Sequence, residues 1–326
     1  MQPVSKARRI SGYVMLLLSA AALVGALFFR QAVEDWWRLR NYQPSAGIIS
    51  LADDTTMLDS ARRLFYVQHP QLAGKTTFNG YCRNNEQTIV LGCYIQRQGI
   101  YLLDVTDERL AGVEEVTAAH ELLHAAYDRL SRSERQRIDS LLASTYDSLN
   151  NERLRQTIEL YRQQDASIVP NELHSILATE VRGLPAGLEA YYRRYFSDRS
   201  AIVTLSEQYE QAFIERRNTI RDYDNQLAAL KARIEALQKR LESEEAALTA
   251  QREQMNAYRA SGQTAAYNAQ VPGYNQKVNV YNNGVEELEG LVASYNDIVQ
   301  KRNAVATEEA ELVEAIDSRE AVPSQQ

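Results

Sequence analysis

His120-Glu121-Leu122-Leu123-His124 is where this sequence carries its plainest chemistry. Residues four apart share one face of a helix, so both imidazoles can point at one ion. Neutral imidazole is a good zinc ligand. Glu121 leaves the helix about 100° round from His120, close enough to reach a water beside the ion without being a ligand itself. Zinc makes such a water nucleophilic near neutral pH, and the carboxylate can take its proton as it attacks a carbonyl. That is the mechanical content of the H-E-x-x-H pattern. The competing reading is two helix histidines in ordinary polar contacts.

The surroundings favour the metal reading. Val116 to Leu130 has the pattern of a helix, and Ala118, Ala119, Ala125 and Ala126 let other elements pack closely on it. Before it, Thr88–Ile95 and Gly99–Val105 are rich in β-branched and aromatic residues, and the turn-forming QRQG between them predicts a β-hairpin. After it, Ser131-Arg132-Ser133-Glu134 has the spacing of a capping box and marks a new helix. Pro170 and Pro185 stand where first-turn prolines belong, ahead of two more helices. Asp54–Val67 predicts an earlier helix with Met57, Ala61, Leu64 and Phe65 on one side.

Strands, an H-E-x-x-H helix and a later helix bearing Glu make residues 54–200 resemble the zincin superfamily of zinc metallopeptidases. His124 is followed by Ala125-Ala126-Tyr127-Asp128, so the metzincin extension is absent. The resemblance therefore implies the gluzincin branch, whose third ligand is a downstream Glu. Asn171-Glu172-Leu173-His174-Ser175-Ile176 is similar to the N-E-x-x-S-D segment of that branch, with Ile176 in place of the acid. Glu172 is the first candidate ligand, Glu180 the second and His174 the third. The carboxylate that does not bind could hold a ligand histidine in place. A peptidase also needs a donor for the developing oxyanion, and His174, Arg182, Tyr191 and Tyr192 are candidates, although helix packing explains the tyrosines equally well. An extended substrate would bind a sheet edge near Gly99–Val105.

The expected fold class is α+β, a zincin-like domain with a small β-sheet over residues 51–200 followed by an antiparallel coiled-coil hairpin over 201–316. Ile220, Tyr223, Leu227, Leu230, Ile234, Leu237 and Leu241 form a heptad seam. A polar break from Ala260 to Gly273 precedes a second seam running from Tyr274 to Ile316. Such a hairpin could dock a protein partner, self-associate, or satisfy its own seams. Tyr-Asn recurs at Tyr267, Tyr274, Tyr281 and Tyr295, as seam knobs or as a binding strip. Residues 317–326 are expected to be disordered.

At the other end, residues 1–9 form a basic tail with Lys6, Arg8 and Arg9. The uncharged run Ile10–Phe29 is long enough, at about 1.5 Å per residue, to span a bilayer as an uncleaved anchor. Residues 30–50 are expected to be a linker. Arg30, Arg38 and Arg40 nearly balance the basic residues of the tail, so charge alone does not orient the span. Cys82 and Cys93, the chain's two cysteines, read as one disulfide, which requires an oxidising compartment. The tail then lies in the cytoplasm and the body outside it. A net charge of -7 excludes nucleic acid as a principal partner.

The expectation is thus a single-pass cell-membrane zinc metallopeptidase acting on peptides or proteins. Two alternatives stay open. One is an inactive zincin-like scaffold acting through its coiled coil, which the presence of Glu121 disfavours. The other is a zinc amidase acting on cell-wall peptides.

Overall fold

A computed structural model describes Met15, Ser19, Gly25, residues 29–82 and residues 89–319. The chain divides into one unit of residues 1–209 with 315–326, and a second of residues 210–314. The predicted span 10–29 lies almost wholly outside the described residues. Among those described, no helix is long and apolar enough to cross a membrane.

The first unit is α+β. Residues 30–50, expected to be a linker, are instead helical over residues 29–39 (α1) and again from Ala46. The helix expected at Asp54–Val67 is the shorter α3 (Asp59–Val67), and a separate helix α2 (Ala46–Asp54) precedes it. Between them Thr55 folds back on the Leu51 carbonyl, Thr56 takes φ 54°, and Met57 bridges to Phe196. That tertiary bridge breaks a helix that local periodicity would have continued.

The sheet has three strands in the order β1-β3-β2. The predicted hairpin is present as β2 (Gly92–Ile95) and β3 (Gly99–Leu103), paired Gly92 to Leu102 through Ile95 to Gly99. A short strand β1 (Gln71–Ala73) lies parallel to β3 on its other side. Being central, β3 is buried at every residue, as its unbroken apolar run requires. Helix α4 (Lys75–Tyr81) follows β1, and the expected Cys82–Cys93 disulfide ties its end to β2.

A 3₁₀ turn at Glu108–Leu110 leads into α5 (Val113–Asp128), which carries the histidines. Eleven of its sixteen residues are buried, so it is the axis on which the unit is packed. Helix α8 (Val169–Glu180) packs across it, and α2 and α3 also lie against it; α6 (Arg132–Ser148) and α7 (Glu152–Asp165) pack on α8, and α9 (Ala186–Tyr192) on α6. Ser131 caps α6 by accepting from the Glu134 N–H, as its sequence predicts, and Pro170 sits in the first turn of α8. The core joins Leu51, Phe65, Ile100, Leu122, Leu123, Leu177 and Tyr192.

The second unit is built from α10 (Arg199–Ala260), whose first turns belong to the first unit, and α11 (Thr264–Ile316). The two pair antiparallel: Arg302 bonds Asp224, Arg240 faces Glu287 and Lys277 bonds Gln251. Leu237, Leu241 and Leu291 are buried between them, with Tyr281 and Val285 packed alongside. The break is shorter than expected. It occupies only residues 261–263, around Gly262 at φ 76°, a conformation open to glycine at no steric cost. Pro272 lies inside α11 and is exposed; it lacks one helical N–H. Of the predicted disordered tail, Ser318 is fully buried and bonded to Asn79 and Val90, while residues 320–326 are outside those described.

Candidate metal centre

Helix α5 presents His120 and His124 one turn apart, their rings edge to face with centroids 4.7 Å apart. Helix α8 packs across it and delivers Glu172 from its own first turn. Glu172 Oε2 lies 3.6 Å from His120 Nε2, and Oε1 lies 3.6 Å from His124 Nε2. All three ligand atoms fall within 4.8 Å of one another, so the group could hold a metal ion.

The spacing itself discriminates. A direct N–H to carboxylate bond would close to about 2.8 Å. Two ligands each about 2.1 Å from one tetrahedral ion stand about 3.4 Å apart. The two 3.6 Å separations, each to a different Glu172 oxygen, exceed such a hydrogen bond and leave room for an ion among the three side chains. Burial works to raise the Glu172 carboxyl, but the charges of His124 and His120 outweigh it and hold it below its ordinary value. The N-terminal end of α8 also favours an anion there. The donor set, two imidazoles and a carboxylate, fits a borderline-soft divalent cation.

The other two ligand candidates stand outside this group of three. Glu180 shares the face of Glu172 but stands two turns, roughly 12 Å, further on. It pairs with Arg153 at 2.8 Å. His174 points the other way, fully buried, with Nε2 2.9 Å from the Tyr191 hydroxyl. Burial, then the charges of His124 and His120, push its pKa down to about 3, so it is a neutral core residue.

Glu121 is buried and lines a cavity of about 400 Å³ together with His120, His124, Glu172 and Glu180. Strand β2 and its lead-in, Ile89 to Tyr94, form the facing wall. Gly92 lies so close that a Cβ there would stand 2.8 Å from Glu121 Cγ and 2.6 Å from Thr117 Cγ2. Glycine is what lets the strand approach the helix. The sheet edge beside the centre is therefore β2. The expected edge near Gly99–Val105 is corrected, because β3 is paired on both sides.

None of the four expected oxyanion donors lines the cavity. Tyr191 is buried between His174 and Tyr195, the Tyr192 hydroxyl donates to the His174 carbonyl, and Arg182 pairs with Glu207. Sequence spacing placed them on helices following α8 without fixing which face turns inward. The polar residues it missed are Tyr161 of α7, Tyr209 of α10 and Asn171, all of which line the cavity. Ser175 was missed as well; its hydroxyl lies 3.4 Å from His124 Nδ1, beside the nitrogen that faces away from the candidate ion site. Ser175 could have been found, since it stands three residues after Glu172 on the same helix face. Tyr161 and Tyr209 carried no local signal.

Comparison with protein-family models, with curated proteins and with solved structures yields no match.

Proposed function

We propose that this chain is a membrane-anchored, zinc-dependent metallopeptidase of zincin type, working on the extracytoplasmic face of the cell membrane. The observation that carries this reading is the convergence of His120, His124 and Glu172, with ligand atoms within 4.8 Å of one another, beside a buried Glu121.

His120, His124 and Glu172 would hold the zinc, which would supply Lewis acidity to activate water and polarise a carbonyl. Glu121, one position after the first ligand, accepts the proton of the attacking water and passes it to the leaving amine. Ser175 steadies the ring of His124. An extended peptide adds to the edge of β2, which among the described residues pairs only with β3, and this aligns its backbone along the cavity wall. Tyr161 and Tyr209, which line that cavity, are the candidate donors for the oxyanion. The disulfide between Cys82 and Cys93 supports an oxidising compartment and so the outward orientation of the body.

Retention of a general base argues against a purely structural scaffold. The test is cleavage of a peptide library by the full chain and by Glu121→Gln. Loss of at least about 100-fold in the variant, with zinc retained, is expected for removal of a general base. Equal cleavage by both proteins would refute the assignment.

A further inference from the structure

Helix α1 is amphipathic in the reverse of the usual sense. Gln31, Glu34, Asp35 and Arg38 face the domain across a cleft of about 450 Å³. The Arg129 guanidinium grips both Asp35 oxygens at 2.8 Å. Arg38 donates to the carbonyls of Val67, Arg97 and Gln98 at 2.7, 2.6 and 3.1 Å. The opposite face carries Phe29, Val33, Trp36 and Trp37, which are 65, 60, 57 and 67% exposed. A surface helix normally turns its apolar stripe inward. Here directional bonds to Asp35 and Arg38 hold the polar face inward, so the apolar face cannot turn to the core.

We propose that this apolar face lies in the interface of a lipid bilayer and seats the first unit on the membrane surface, as a contact separate from the run 10–29. Three features select lipid as the occupant. Phe29 ends the uncharged run, so the exposed stripe continues from it. Tryptophan pairs favour the membrane–water boundary, where an indole has both apolar and polar surroundings. The Arg40 guanidinium stands 6.0 and 5.8 Å from the Trp36 and Trp37 rings, which places a cation at headgroup depth.

Tyr94 lines both the metal cavity and this cleft, which lies behind α1 on the side away from the lipid contact. Combined with the peptidase reading, seating of the unit on the membrane favours substrates whose scissile bond lies close to the bilayer. The lipid contact itself does not rest on that reading.

Trp36 and Trp37 are the chain's two tryptophans, so emission from the full chain in vesicles reports this face alone. A helix standing straight off the bilayer would hold both rings roughly 10–12 Å beyond Phe29, out of reach of bromine on the acyl chains. The proposal predicts emission shifted to shorter wavelength, quenched by phospholipid brominated at shallow acyl carbons and protected from acrylamide. Quenching by acrylamide alone would place the face in water. Protection from both quenchers would place it against protein. Either result overturns the proposal.

Discussion

Gly92 on strand β2 and Glu121 on helix α5 meet so closely that the space between them does not admit a methyl group: a Cβ on Gly92 would lie 2.8 Å from Glu121 Cγ and 2.9 Å from Oε1. Gly92→Ala must therefore displace either the strand or the proposed general base. Overpacking of this kind costs about 1–3 kcal/mol. The expected outcome is a lower denaturation midpoint and impaired peptide cleavage, with zinc stoichiometry kept because the ligands are untouched. A variant with wild-type stability and turnover would show that the contact is slack.

The third ligand is decided by comparing two carboxylates on one helix. Glu172→Ala should lower zinc affinity by at least about 10-fold, since it removes a direct ligand. Glu180→Ala should leave affinity near wild type and lose only the pairing with Arg153. Competition titrations with a chelating dye separate the two. The opposite ranking would reassign the site.

The disulfide ties the end of α4 to the strand that walls the cavity. For a loop this short, the chain-entropy account gives about 3 kcal/mol of stabilisation. Replacing Cys82 and Cys93 with Ser should lower unfolding free energy by about that amount and loosen β2, reducing cleavage more than zinc content. Denaturant melts with and without reductant check this, and the serine variant should be insensitive to reductant.

Glu114 offers a pH test away from the centre. Burial raises its carboxyl pKa above the ordinary value, with Asp104 and Glu115 adding to this and the Val105 N–H opposing it. A raised acid binds its proton more tightly in the folded chain, so its contribution to stability is greatest at low pH and diminishes as pH rises through the carboxylate range. Glu114→Gln keeps an acceptor for Val105 and removes the charge. Its melting temperature should match or exceed wild type at pH 7, with the advantage gone at pH 4. A destabilised variant at pH 7 would mean that the Val105 contact needs a carboxylate.

What the sequence made legible follows from how local each signal is. The histidine pair, the Ser131 cap and the β2–β3 hairpin are encoded within a few residues, and each is present. Heptad spacing likewise marked the two long helices, though not the length of the turn at Gly262. Strand β1 is three residues long and exists only through its partner β3, so periodicity could not show it. The break at Thr55–Leu58 depends on Phe196, more than a hundred positions away. Glu172 was one of three candidates because sequence spacing gives a helix face but not the helix it packs against. The crossing of α8 on α5 brings Glu172 within 3.6 Å of both histidines.

The most direct test is the metal itself. Full-length protein, purified in detergent without chelators or added metal, is analysed for metal content alongside His124→Ala. The account predicts about one zinc per chain in wild type and a large loss in the variant, because structural and catalytic zinc sites need at least three protein ligands. Wild-type protein that stays far below one equivalent, even after incubation with zinc and desalting, would contradict the central claim.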